Sequence, residues 1–229
     1  MILIGDLHGG YPQILHKIKQ LDLRQTSFIQ VGDWGVGFQS KEDDIKALQQ
    51  VDRFLREGEN TMYILRGNHD CKWFWDHRSD VSLQNIVLVQ DYEVLQIEEQ
   101  YVLFIGGGIS IDRAKRKTGK DYWEDEVFVY DATKLQAAIT TNIDIVVSHI
   151  APNETWPFTF DELVKHYAEQ DSTLLYDLKE ERASMSKIFS TVKQANCTSW
   201  YYGHYHQSYV GEHDGVWFRC LGMGELFAP

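Results

Sequence analysis

The 229-residue sequence has few cysteines, a shortage of cations and no long apolar run. Its three cysteines are an odd number at wide spacing, which argues against a disulfide framework and predicts free thiols in a reducing compartment. No stretch of about 18 apolar residues occurs, so we expect no membrane-spanning helix. The first residues carry neither a basic leader nor a small-residue cleavage site, and we therefore expect a cytoplasmic protein.

Positive charge is scarce: the sequence has 22 Lys and Arg residues but 34 Asp and Glu residues, which gives a net charge of −12. A long polyanion would meet repulsion over most of such a surface, so extended nucleic-acid binding is disfavoured. A small phosphorylated substrate held through metal ions remains compatible with this charge, and the oligomeric state stays open. The hydrophobic content of 43% predicts a folded chain, and the lack of linkers or repeats favours one domain over residues 1–229.

Short apolar runs rich in Ile, Val and Phe are typical of buried strands. They lie at residues 1–4, 27–31, 62–65, 86–89, 101–105, 143–147 and 199–202. Apolar faces at helical spacing begin at Ile14 and Ile45, and the second helix has a capping Ser40 and a stop near Gly58. Further helices are predicted at about residues 133–139, 160–169 and 173–194, and Asp214-Gly215 predicts a hairpin turn. An α/β fold follows, with either one mixed sheet or two packed sheets.

Several predicted strands end in a small residue followed by Asp, Asn or His. These segments are Gly5-Asp6-Leu7-His8, Gly32-Asp33, Gly67-Asn68-His69-Asp70, Ser148-His149 and Gly203-His204-Tyr205-His206. Ligands of open α/β sheets bind beyond the carboxyl ends of the strands, where groups distant in sequence converge. A single such segment is usually a turn or a helix cap, but five together indicate a shared site.

The side chains at these ends form a metal-ligand set. The candidates are Asp6, His8, Asp33, Asn68, His149, His204 and His206. Carboxylates, imidazoles and an amide oxygen suit Mn²⁺, our first choice, or Fe²⁺ and Zn²⁺. Seven donors exceed the need of one ion and indicate two divalent ions, with Asp33 as the candidate bridge. Two metals about 3.5 to 4 Å apart activate a bridging water for in-line attack on phosphorus. His69 is the candidate proton donor to the leaving oxygen.

These ordered motifs resemble those of the calcineurin-like metallophosphoesterase family, from Asp6 to His206. The resemblance implies a four-layer fold in which two mixed β-sheets pack as a sandwich flanked by helices. It implies one ion held by Asp6, His8, Asp33 and His206, and another held by Asp33, Asn68, His149 and His204. It also implies hydrolysis of a phosphate mono- or diester by a metal-bridging hydroxide, with His69 protonating the leaving group.

The chain departs from the protein Ser/Thr phosphatases of that family. Those enzymes extend Gly-Asp into Gly-Asp-x-x-Asp-Arg-Gly, whereas residues 32–38 here lack the second Asp and the Arg. The segment from Gly106 to Arg113, followed by Tyr122-Trp123, instead resembles a loop of small prokaryotic or phage members. Arg113 and Arg116 in this basic loop are candidate substrate contacts, against the alternative of a solvated turn.

Two other functions stay open at this point. A nucleotide pyrophosphohydrolase or nuclease would use the basic loop, residues 113–120, to hold an anion. A non-catalytic scaffold with this fold is the third reading, although such relatives typically lose ligands or the catalytic His. The Gly106-Gly107-Gly108 run does not match a dinucleotide-binding fingerprint, because the spacing and the following helix are absent.

Overall fold

A computed structural model describes residues 1–140 and 142–229 of the chain. In this part of the chain, the strands are β1 (Ile2–Ile4), β2 (Ser27–Gln30), β3 (Thr61–Ile64), β4 (Ile86–Leu88), β5 (Val94–Ile97), β6 (Gln100–Ile105), β7 (Ile145–Ser148), β8 (Ser199–Tyr202), β9 (Tyr209–His213), β10 (Val216–Cys220) and β11 (Leu226–Phe227). The α-helices are α1 (Tyr11–Gln20), α2 (Lys41–Glu57), α3 (Trp73–Asp76), α4 (Ala132–Ala138), α5 (Glu162–Ala168) and α6 (Leu174–Val192). Short 3₁₀ helices cover Arg78–Asp80, Arg113–Lys115 and Lys193–Ala195.

The first sheet has the strand order β11-β1-β2-β3-β4. Strands β1 to β4 run parallel, and β11 pairs antiparallel with β1. Helices α1 and α2 cover its outer face, where Ile14, Leu48 and Leu55 join one apolar cluster. Helix α2 begins where the Ser40 hydroxyl accepts the Asp43 N–H, as the sequence predicts for a cap.

The second sheet has the order β5-β6-β7-β8-β10-β9. Its central strands β6, β7, β8 and β10 are parallel, and β5 and β9 are antiparallel at the two edges. Helices α4 and α6 cover its outer face through Leu135 and Phe189, which lie in one apolar cluster with Trp200.

The inner faces of the two sheets pack against each other. Leu3, Ile29 and Val31 of the first sheet region share an apolar cluster with Phe104 and Val147 of the second. Helices, sheet, sheet and helices therefore form four layers, and the α/β sandwich implied by the motifs is confirmed. This packing brings the carboxyl ends of parallel strands from both sheets to one edge.

The predicted elements match the observed ones to within a few residues. The turn at Asp214-Gly215 is confirmed, since both residues have left-handed φ angles, 50° and 79°, between the antiparallel strands β9 and β10. Strands β5 and β11 and helix α3 had no counterpart among the predicted apolar runs and helices. The two residues of β11 form a strand only through pairing with β1, at the far end of the chain. No helix in the described residues is long and apolar enough to cross a membrane.

Candidate metal centre and cavity

Side chains from the ends of five strands meet at this edge. Asp6 follows β1, Asp33 follows β2, Asn68 follows β3, His149 follows β7, and His204 lies just beyond β8. Asp6, Asp33, Asn68 and His149 are almost fully buried, although each is polar. Buried polar groups need partners, so a cluster of this kind indicates a bound ligand.

The first group of donors comprises Asp6, His8, Asp33 and His206, whose ligand atoms lie within 4.8 Å of one another. His8 Nε2 is 3.5 Å from Asp33 Oδ2, and His206 Nε2 is 3.4 Å from Asp6 Oδ2. The Nε2 atoms of His8 and His206 are 2.9 Å apart. Asp6 Oδ1 is buried and has no hydrogen-bond partner among residues 1–140 and 142–229. A buried, incompletely satisfied carboxylate beside converging ring nitrogens fits a divalent cation.

The second group comprises Asp33, His149 and His204, also within 4.8 Å. His149 Nε2 lies 3.3 Å from Asp33 Oδ1 and 2.9 Å from Asn68 Oδ1. His204 Nδ1 lies 2.9 Å from the same Asn68 oxygen. Asp33 thus belongs to both groups, and Asn68 adds its amide oxygen to the second.

The orientation of His149 is set by the backbone. Its Nδ1 lies 2.9 Å from the Val31 carbonyl oxygen, to which it donates, so Nε2 is left as the ligand atom. Burial lowers the pKa of His149, but the Asp33 carboxylate, together with Asp6 and the Val31 carbonyl, outweighs this effect and raises the pKa to about 9. Burial is the main cause that holds the pKa of His204 well below its usual value, and repulsion from His149 is the second. The negative charge of Asp33 therefore draws positive charge into the site, as a metal ion would supply.

The local backbone is adapted to this crowding. His8, Asp33, His204 and His206 all have left-handed φ angles between 45° and 69°, which non-glycine residues rarely adopt. A Cβ atom at Gly67 would overlap Asp33 Oδ1, and one at Gly203 would overlap Asp6 Oδ1. Glycine at these two positions therefore leaves room for the carboxylates.

Ser110 and Glu126 hold the Asn68 side chain in place. Sequence analysis identified neither residue. Asn68 Nδ2 donates to Ser110 Oγ at 2.9 Å, and Ser110 Oγ donates to Glu126 Oε2 at 2.8 Å. The Ser110 N–H donates to the other Glu126 oxygen at 2.7 Å. This chain of bonds turns the amide oxygen of Asn68 toward His149 and His204. The glycine-rich run before Ser110 was the only signal in the sequence.

Asp70 lies outside the donor groups and holds two loops together. Its buried carboxylate accepts the backbone N–H groups of Trp34, Gly35 and Gly67. Those amides belong to the loops that follow β2 and β3, so Asp70 sets the relative position of Asp33 and Asn68.

His69 lies beside the donors without belonging to either group. Its backbone N–H donates to Asp33 Oδ1 at 2.7 Å, and its ring is 4.8 Å from the His8 ring, centre to centre. Burial lowers the pKa of His69 to about 4, and Arg116 contributes to this shift. The imidazole lines the cavity next to the two donor groups.

A cavity of about 550 Å³ opens from these groups. One end is lined by His8, Asp33, Asn68, His69, His204 and His206. The other end is lined by residues of α5, α6 and the loop between β7 and α5. The space exceeds that of a phosphate and admits an organic group beyond it.

Comparison with known proteins decides the family. The model of the calcineurin-like phosphoesterases matches residues 1–208 of the sequence. The chain belongs to this family. The phosphoesterase is thus a hydrolase acting on phosphate esters, in a family that uses divalent metal ions.

Solved structures share the fold of this phosphoesterase. Phosphopantetheinyl hydrolase from Mycobacterium tuberculosis aligns with a TM-score of 0.50 and 15% identity, covering 97% of this chain and 89% of that one. A putative 5'-nucleotidase from Staphylococcus aureus aligns with a TM-score of 0.51 and 14% identity, covering 97% of this chain and 48% of that one. At such identities the likeness concerns the fold alone. Comparison with curated proteins found no match.

The two arginines singled out in the basic loop of the phosphoesterase have different surroundings. The Arg116 guanidinium lines the cavity, with Nη1 and Nη2 3.2 and 3.0 Å from the ring nitrogens of His69. The Nε–H group of Arg116 donates a hydrogen bond to Asp112 Oδ1 at 2.6 Å. Arg113 is not among the residues that line the cavity, and it pairs with Asp171 and Asp177. Arg113 therefore joins the loop to the start of α6.

Proposed function

We propose that this phosphoesterase hydrolyses a phosphate mono- or diester of a small molecule with two divalent metal ions. The observation that carries the proposal is the sharing of Asp33 between two donor groups. Asp6, His8, Asp33 and His206 would hold one ion, and Asp33, Asn68, His149 and His204 the other. Mixed oxygen and nitrogen donors favour Mn²⁺, with Fe²⁺ or Zn²⁺ as alternatives. Such ions activate water and neutralise charge on phosphate oxygens.

Protonation of the leaving group is the role proposed for His69. Its ring lines the cavity without belonging to the metal-ligand groups, and before substrate binds its two nitrogens face the Arg116 guanidinium. A bound phosphate adds negative charge next to the ring and favours its protonated form. We propose that His69 donates this proton to the departing alkoxide, which leaves as the alcohol.

Arg116 is proposed to orient the phosphate. Its guanidinium lines the cavity beside His69, and Asp112 fixes its Nε. A planar guanidinium can donate two parallel hydrogen bonds to a phosphate. For Arg113 we propose a structural role, since Asp171 and Asp177 already occupy its guanidinium.

The proposal extends to the protein as a whole. The apolar cluster between the sheets contains residues from Leu3 to Phe227, which supports a single domain over residues 1–229. All three cysteines are free thiols, which fits a reducing compartment such as the cytoplasm.

A substrate panel tests the activity. The purified protein is assayed with nitrophenyl phosphate, bis-nitrophenyl phosphate and a dinucleoside polyphosphate, each with Mn²⁺ or with chelator. We expect Mn²⁺-dependent hydrolysis of a mono- or diester that chelator abolishes. Preference for the dinucleoside polyphosphate would favour the pyrophosphohydrolase alternative. Failure to hydrolyse any of the three in metal-loaded protein would reject the proposal.

A further inference from the structure

The wall of the cavity contains a buried acid. Glu181 of α6 lines this cavity and is 8% exposed. Its Oε1 atom has no hydrogen-bond partner within residues 1–140 and 142–229. A buried acid that lacks a hydrogen-bond partner is costly, and because Glu181 lies in the cavity wall, a ligand in the cavity could supply that partner.

Apolar side chains form much of the wall of the cavity that Glu181 lines. They are Phe160, Leu163, Val164, Tyr167 and Leu178. Burial raises the pKa of Glu181 to about 8, although the charge of His149 acts in the opposite direction. This part of the cavity would accept an apolar body that carries a polar atom at one position.

The neighbouring cation does not neutralise Glu181. Arg182 directs its guanidinium to backbone carbonyls, with Nε 3.3 Å from Ala151 O, Nη2 2.7 Å from Thr155 O, and further bonds to Pro152 O and Pro157 O. In the described part of the chain, no ion pair involves Glu181. Arg182 therefore supports the loop that forms the cavity wall and leaves the acid free to bind something else.

We propose that Glu181 determines specificity by accepting a hydrogen bond from an O–H or N–H donor on the organic group of the substrate. The substrate class is a phosphate ester whose organic part is apolar and carries such a donor. This inference rests on the proposed function, because it places the phosphate at the metal end. Glu181 takes no part in bond cleavage.

Isomeric ligands that cannot be hydrolysed test this subsite. Benzylphosphonates bearing a hydroxymethyl group are compared with isomers bearing a methoxy group, at the ortho, meta and para positions. The two have the same atoms, but only the hydroxymethyl compound donates a hydrogen bond. We expect the hydroxymethyl isomer to bind the Mn²⁺-loaded wild-type protein about tenfold more tightly at one position, as measured by calorimetry.

Variants assign this preference to the residue. In Glu181→Met the preference is expected to fall below about twofold, while Glu181→Gln retains a carbonyl acceptor and part of the preference. Glu180→Met is the matched control, because Glu180 is the exposed neighbour on α6 and should leave the preference intact. Equal binding of both isomers at all three positions, or a preference that persists in Glu181→Met, would overturn the inference.

Two further measurements separate the explanations. If the wild-type protein does not hydrolyse nitrophenyl phosphate, the proposed function is contradicted. The phosphonate affinities test the subsite separately, because these ligands are not hydrolysed. Thermal unfolding tests a purely structural role for Glu181. Replacing an acid that lacks a partner should leave Tm unchanged or raise it in Glu181→Met, and a clear decrease would contradict the inference.

Discussion

Asn68 Nδ2 lies 2.9 Å from Ser110 Oγ, and this bond fixes which end of the Asn68 amide faces the histidines. Because the oxygen is the ligand atom, a flipped amide would present N–H groups to a cation. Ser110→Ala removes the acceptor of this bond, and we expect the affinity of the second metal ion to fall about 10- to 100-fold. Competition with a chelator measures this affinity. Ser190→Ala, at an exposed position of α6, is the control. Unchanged affinity would show that Ser110 does not position Asn68.

Substitution of His69 separates proton donation from metal binding. His69→Ala should slow hydrolysis about 10²- to 10⁴-fold while metal content stays at the wild-type level. Steady-state kinetics and elemental analysis provide the two measurements. His16→Ala, at an exposed histidine of α1, should change neither quantity. Loss of metal in His69→Ala would assign the residue to the ligands instead.

Asp33 is the residue whose loss should affect both ions. Asp33→Asn removes a charge shared by the two donor groups, so we expect both metal sites to weaken together. His8→Ala removes a donor from the first group only and should leave the second ion bound. Metal content after gel filtration in limiting Mn²⁺ distinguishes the variants. Equal losses in the two variants would argue against a shared ligand.

The two arginines of the basic loop should behave differently. Arg116→Ala is expected to lower kcat/KM for phosphate esters at least about tenfold, since the guanidinium faces the cavity. Arg113→Ala should instead lower the free energy of unfolding by about 1–3 kcal/mol through loss of its bonds to Asp171 and Asp177. Kinetics and urea unfolding of both variants test this contrast. A larger kinetic defect in Arg113→Ala would reverse the assignment.

The stability of the protein should depend on pH through Glu181. Its pKa in the folded state is about 8, above the ordinary value of 4.5, so the folded protein binds the proton more tightly than the unfolded chain. Its contribution to stability is complete below about pH 4.5 and is lost as the pH rises toward 8, at up to about 1.4 kcal/mol per pH unit. Glu181→Gln should therefore gain stability relative to the wild type between pH 5 and 8. Urea unfolding without metal measures the difference, and a constant difference across this range would contradict it.

The strand ends explain how much of the site was predictable. Asp6, Asp33, Asn68, His149 and His204 each follow a buried apolar strand, and parallel strands carry their carboxyl ends to one edge. The order of apolar runs and polar ends is local in sequence, so the seven donors and the Ser40 cap of α2 could be named from the sequence. The hairpin at Asp214-Gly215 was predictable for the same reason, because two residues define its turn.

Tertiary structure decided the contacts that no local pattern encodes. Arg113 and Arg116 are three residues apart with the same charge, yet one meets Asp171 on the far side of the loop and the other meets His69. Ser110 reaches Asn68, and Glu181 reaches the cavity, only because the second sheet packs on the first. Sequence by itself determined which residues follow the strands and hence the metal chemistry. The packing of the layers determined which side chains surround that chemistry, since contacts between distant segments depend on how the sheets and helices meet.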